Sequence, residues 1–351
     1  MPVAIIKDQI FLQHDPGEHH PEQPERLKRI YQRLEQPDLA EITTVLSPRA
    51  AIREELLWNH APEYIDQIEA TAGKIRVQLD PDTATSPDSY QAALKAVGAQ
   101  FVGLEALFQG LCKAVFALVR PPGHHAEYDR AMGFCIFNNV ALAAHYVLKR
   151  LQGKRVLIID WDLHHGNGTQ HAFYKSAEVL YFSVHQFPYY PGTGRAEEIG
   201  QGPGAGFNVN VPFPPGCGDK EYASAFRNIL VPVAEQFSPD VILVSAGFDI
   251  YYADPLGGMS VTPVGIAYMT RVVKDLAEKL CQGRLLLTLE GGYNLQGLVE
   301  CVSAVIFELF GRSIIPDDRL QELQNCPGLT EVELHIKELL KPYWRFVPRH
   351  D

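Results

Sequence analysis

The chain has 351 residues, 46% of them apolar, which supports a sizeable core and excludes a disordered chain. Its formal net charge of −11 argues against nucleic acid as a partner and favours cationic ligands. No stretch approaches the ~18 consecutive apolar residues of a membrane span, so a membrane partner is not expected.

In chain order, short β-branched apolar runs alternate with segments of helical period. A first strand is predicted over 3–6, then helices over 24–34 and 89–108. The strand 114–119 runs into Arg120-Pro-Pro-Gly-His124-His125. A helix over 137–151 leads to the strand 156–159, and Asp160, Asp162 and His164 follow it. The strand 179–184 leads to His185 and to Tyr189-Tyr190-Pro-Gly-Thr-Gly. A helix over 221–237 precedes the strand 241–245, which feeds Ala-Gly-Phe-Asp249 and then Ala-Asp254-Pro. A helix over 264–280, a strand over 285–289 and the turn Glu290-Gly-Gly-Tyr293 come next, followed by a helix over 295–310. Residues 312–351 add a helix over 331–340 and an aromatic, basic end expected to pack on the surface.

Strand and helix in alternation imply an α/β class with a parallel sheet covered on both faces. No repeat or linker interrupts the pattern, so residues 1–351 are expected to form a single domain. The start, Met1-Pro-Val-Ala-Ile-Ile-Lys7-Asp, lacks the basic region of a signal peptide. Six cysteines (Cys112, Cys135, Cys217, Cys281, Cys301, Cys326) show no paired spacing. The sequence reads as a cytoplasmic, soluble protein with reduced thiols.

Open parallel sheets place their sites beyond the carboxyl ends of the strands. Five strands here feed polar, glycine-rich turns toward one edge. Asp162 and His164 point the same way if the strand persists, because side chains alternate with period two. With Asp254 they would give zinc two carboxylates and one imidazole, leaving a position for water. Asp249 competes with Asp254 on sequence alone, and Asp254 is the expected ligand. The adjacent His124 and His125 suit a general base and an electrostatic partner, provided their surroundings differ. Asp160 would hold one of them cationic. Asn167, a neutral amide, would orient the other without raising its basicity, which favours His125 as the base. Tyr293, after two glycines, would aim a phenol at a developing oxyanion, a contribution of about 3 kcal/mol.

These motifs, in this order, resemble the histone deacetylase superfamily, including bacterial histone-deacetylase-like amidohydrolases and acetylpolyamine amidohydrolases. The matching segments are Arg-Pro-Pro-Gly-His124-His125, Asp160-Trp-Asp162-Leu-His164-His165-Gly, Tyr190-Pro-Gly-Thr-Gly, Asp254-Pro-Leu-Gly-Gly and Leu-Glu-Gly-Gly-Tyr293-Asn. The resemblance covers roughly residues 14–311. It implies the arginase/deacetylase fold, a three-layer α/β domain with a mainly parallel eight-stranded sheet. It implies zinc on Asp162, His164 and Asp254, His125 as base, His124 paired with Asp160, and Tyr293 polarising the amide carbonyl. A structural potassium ion would use Asp160, Asp162, His164, Ser183 and Val184. A second would use Phe173, Ser176, Val179 and Phe207. Phe134 and Tyr190 match the walls of an acyl-lysine tunnel and Gly133 its floor. Asp82 resembles the rim carboxylate, with Asp80 two residues away, and Arg26 the arginine of the inner acetate channel.

Asn167 and Leu-Glu-Gly-Gly-Tyr resemble class II, and Tyr293 stands where the weakly active class IIa members carry histidine. Leu256 occupies the position of the glutamate gate in the polyamine-selective enzyme. The resemblance therefore implies a deacylase of N-ε-acyl-lysine in proteins or peptides, with acetylated polyamine as the second candidate substrate. A non-catalytic acyl-lysine reader is disfavoured by the intact ligand set. An arginase-like binuclear enzyme would need a carboxylate where Gly166 sits. Zinc is the expected metal, with iron(II) as the alternative occupant of such a site, and a homo-oligomer is compatible with this reading.

Overall fold

Short runs of Val, Ile and Leu that bury both faces satisfy their backbone groups here by pairing with like neighbours in one parallel sheet. The computed structural model describes residues 2–325 and 330–346; Cys326 lies outside them. The sheet strands, in chain order, are β1 (Val3–Ile6), β2 (Thr43–Leu46), β3 (Ala114–Ala117), β4 (Val156–Asp160), β5 (Val179–Gln186), β6 (Asn208–Phe213), β7 (Val241–Ala246) and β8 (Leu285–Leu289). Their spatial order is β2-β1-β3-β8-β7-β4-β5-β6, and every pairing is parallel.

The eight-stranded sheet is the one the resemblance implies. Six of its strands follow from the apolar runs, and β2 and β6 do not. β2 is a half-exposed edge strand with no buried stripe. β6 carries Asn208, Asn210 and Pro212, polar and ring residues that hide its apolar positions.

Helices Ser89–Phe108 and Asn139–Arg150 pack on each other and on the sheet, as do Pro263–Cys281 and Leu295–Phe310. The predicted helix over 221–237 starts at Asp219 and contains a π-helical turn, Phe226–Leu230, before Val231–Phe237. Two caps matter for the site. Asn138 accepts from the Ala141 amide at the start of Asn139–Arg150, and Asn294 accepts from the Gly297 amide directly after Tyr293. The helix Glu331–Leu340 lies against β6, Glu333 accepts a hydrogen bond from Ser224, and the Trp344 indole donates to the Gly206 carbonyl at 2.6 Å.

Candidate active site

Because all eight strands run the same way, the segments after β3, β4, β5, β7 and β8 meet at one edge. They enclose a cavity of about 90 Å³ lined by Asp82, His124, His125, Gly133, Phe134, His164, Tyr190, Leu256 and Tyr293.

The histidine pair is set by two different partners. His124 Nδ1 lies 3.1 Å from Asp160 Oδ2, which also accepts from the Tyr181 hydroxyl at 3.0 Å. Burial works against a charge on His124, but Asp162 and Asp160 outweigh it and push its pKa up to about 10. His125, its ring 4.0 Å from that of His124, meets a neutral amide instead, with Nδ1 2.7 Å from Asn167 Oδ1. Burial first, then the charges of His124 and His164, drive His125 well below the usual histidine range. The two rings therefore differ in charge as their partners dictate.

Glu290, which the sequence reading passed over, holds the turn carrying these rings. Its Oε2 accepts from the amides of Gly123 (2.7 Å) and His124 (3.3 Å), and its Oε1 from the Ser245 hydroxyl. An acid ending the apolar run 285–289 was the available signal, since a buried carboxylate needs donors.

Around His164, which lines the cavity, three groups place ligand atoms within 4.8 Å of one another: Asp162, His164 and Asp249. This cluster differs from the expected set, with Asp249 where Asp254 was expected, and Asp254 bonds to backbone amides instead. Asp254 Oδ2 accepts from the amides of Tyr293 (2.6 Å) and Asn294 (3.0 Å), and its Oδ1 from Leu256 (2.9 Å). Three of the roughly four lone-pair sites of this carboxylate are taken by backbone donors, and it is not among the groups that converge with Asp162 and His164. Asp249 takes the place. Its Oδ1 accepts from the Leu163 amide, while Oδ2 is buried with no hydrogen-bond partner, 3.1 Å from His164 Nδ1. A Cβ on Gly291 would come within 2.3 Å of that same oxygen, so only glycine fits beside it. Two carboxylates and an imidazole with an unpartnered buried oxygen are a donor set that suits zinc.

Tyr293 is held from below by Arg26, whose guanidinium lies 5.0 Å from the ring centroid. Arg26 is fully buried and donates to the carbonyls of Gly292 (2.7 Å) and Glu290 (2.6 Å). Its other partner, Glu22, also pairs with Arg120, so one buried acid ties the Tyr293 turn to the His124 turn. Burial raises the Tyr293 phenol well above its ordinary range and keeps its proton.

Gly133 has φ +57, and a Cβ there would stand 2.3 Å from the His125 ring. Asp82 Oδ1 accepts from the Gly133 amide at 3.0 Å and from Thr83. Tyr190 meets His125 edge-on at 5.2 Å, and Tyr189 donates to the Leu256 carbonyl at 2.9 Å. Asp160 and Ser183 are paired across β4 and β5, with Val184 next along the strand. Phe173, Ser176 and Val179 lie at the opposite end of β5, where the Tyr181 amide donates to the Phe207 carbonyl.

Residues 20–309 match the family profile described as the histone deacetylase domain. The chain is 42% identical to Histone deacetylase 5 of Arabidopsis thaliana, over 97% of this chain and 54% of that protein. It is 40% identical to a protein of Archaeoglobus fulgidus described as a probable deacetylase, over 98% of this chain and 99% of that one. A crystal structure of the HDA15 HD domain superposes with a TM-score of 0.88 at 38% identity, covering 98% of this chain and 95% of that one. The chain spans about half the length of the plant and fungal relatives.

Proposed function

The chain belongs to the histone deacetylase family and has its arginase/deacetylase α/β fold, and on that premise we propose that it is a zinc-dependent amidohydrolase. Its proposed reaction removes acyl groups, acetyl foremost, from the N-ε amine of lysine in proteins or peptides. Asp162, His164 and Asp249 would hold the metal. Zinc there would act as a Lewis acid that polarises a carbonyl and acidifies water.

The chain's own groups do the rest. His125, kept neutral by burial and by the charge beside it, takes the proton of the attacking water. Tyr293 donates its phenolic proton in a hydrogen bond to the developing oxyanion. His124, cationic against Asp160, stabilises that charge and supplies a proton to the departing amine. Asp254 positions Tyr293, and Asn167 orients His125. Gly133, Phe134 and Tyr190 line the path of an extended apolar chain, Asp82 sits at its rim, and Arg26 braces the floor. Potassium would bind by Asp160, Asp162, His164, Ser183 and Val184, and a second ion by Phe173, Ser176, Val179 and Phe207. Residues 1–351 are proposed as one catalytic domain, with 312–351 packed on it.

The observation that carries this reading is the pair of touching histidines, one tuned up and one down, beside an acid-rich donor set with an unpartnered oxygen. Zinc titration of the metal-stripped chain tests it. Release of acetate from an acetyl-lysine peptide should return with about one equivalent of zinc, and should not return in Asp249→Ala. Full activity in metal-free protein contradicts the reading.

A further inference from the structure

Beyond Asn167 the site continues to the surface. The Asn167 Nδ2 group donates to Glu127 Oε1 at 2.5 Å, with longer approaches to the His125 carbonyl and to the Met132 sulfur, both at 3.4 Å. Glu127 is 6% exposed. Its two oxygens accept from His171 Nδ1 at 2.9 and 3.0 Å, and the His171 side chain is half exposed. Arg130 stands 3.9 Å away. Burial favours the neutral acid, but hydrogen bonds from His171 and Asn167 outweigh it and hold the Glu127 carboxyl below its ordinary range.

An amide has an oxygen at one end and an NH₂ at the other, and its shape does not decide which faces where. A carboxylate only accepts. With Glu127 on one side, the NH₂ of Asn167 must face Glu127, and its oxygen must face His125. His125 must then carry its proton on Nδ1 and leave Nε2 bare on the far side of the ring.

We propose that Glu127 is a positioning residue that fixes the tautomer of His125 by fixing the amide of Asn167. The proposal rests on the reading of His125 as a base. A base can accept only at an unprotonated nitrogen, and a turned amide would present NH₂ to Nδ1 and move the proton to Nε2. A wrong histidine tautomer in another hydrolase costs as much as ~10⁴-fold in turnover, and groups behind a site residue typically ~10–100-fold.

The test exchanges the amide and the acid. Glu127→Gln should lower kcat by ~10-fold or more with KM within about twofold, at unchanged zinc content. Asn167→Asp should also lose activity, because it sets two carboxylates against each other. The double variant Glu127→Gln/Asn167→Asp should recover to within about threefold of the parent, since an acid now faces His125 and an amide lies behind it. Losses that multiply in the double variant contradict the proposal and leave Glu127 a structural acid. Histidine ¹⁵N resonances of the full-length chain give a readout independent of turnover. Nδ1 of His125 should be protonated in the parent and the double variant, and Nε2 increasingly so in Glu127→Gln. If Glu127→Gln does not fold, Asn167→Asp against the double variant carries the same sign. An unchanged tautomer in Glu127→Gln overturns the proposal. Parent protein that shows the tautomer but turns over no acyl-lysine peptide overturns only the activity reading.

Discussion

Asp254 accepts the backbone amide of Tyr293 at 2.6 Å, and with that bond the acid holds the phenol's loop in place. The same carboxylate takes the amides of Asn294 and Leu256, so it joins the loop after β7 to the loop after β8. Asp249, five residues earlier, is the acid that faces Asp162 and His164.

The two acids should therefore fail differently. Asp249→Ala should lose zinc, whereas Asp254→Asn should retain about one zinc per chain while kcat falls ~10–100-fold. Metal content after gel filtration, measured beside steady-state kinetics, separates them. Loss of zinc in Asp254→Asn with retention in Asp249→Ala would restore the original ligand set.

Tyr293→Phe removes a single hydroxyl from a ring that Arg26 and Phe134 keep in place. Turnover should drop by ~10²–10³-fold with zinc content unchanged. Activity within threefold of the parent contradicts the carbonyl role.

Gly133→Ala places a methyl group against the His125 ring at a backbone angle of φ +57 that side chains resist. The expected result is a loss of kcat far exceeding any loss of zinc. A variant with parental kinetics would mean that the 132–135 turn moves without disturbing His125.

Acid should destabilise the protein through its neutral buried histidines. His60 sits between the Glu127 carbonyl (2.9 Å) and the Asn138 amide (3.0 Å), and burial pushes its pKa down to about 4. Burial does the same to His185, also to about 4. A folded value below the unfolded value of about 6.5 means that the unfolded chain binds the proton first. Stability is then full above pH ~6.5 and falls toward pH 4, by up to about 1.4 kcal/mol per pH unit for each histidine. Urea midpoints at pH 7.5 and 5.5 measure this, and equal midpoints contradict it.

The sheet was legible where strands are buried on both faces, as over 156–160 and 285–289. It was not legible where burial is partial or mixed. β2 has an exposed middle, and β6 buries Asn208 and Asn210, whose amides both donate to Gln170 at 2.8 Å. The total of eight strands came from family resemblance, not from apolar pattern. His124, His125, Asp162, His164 and Tyr293 stood out because each follows a strand directly. The choice between Asp249 and Asp254 did not, since both lie in one turn and only the direction of backbone donors distinguishes them. Glu127 and Glu290 were missed because their partners, Asn167 and Ser245, are remote in sequence.

The central claim is deacylation of lysine at this site, and it is tested most directly by side-by-side turnover of the zinc-loaded chain on an acetyl-lysine peptide, acetylputrescine and acetylspermidine. Leu256, which lines the cavity in place of a carboxylate, predicts kcat/KM for the peptide at least ~10-fold above either polyamine, because its apolar side chain offers a second ammonium no counter-charge at that position. Polyamine preference, or no turnover of the peptide at all, would contradict it.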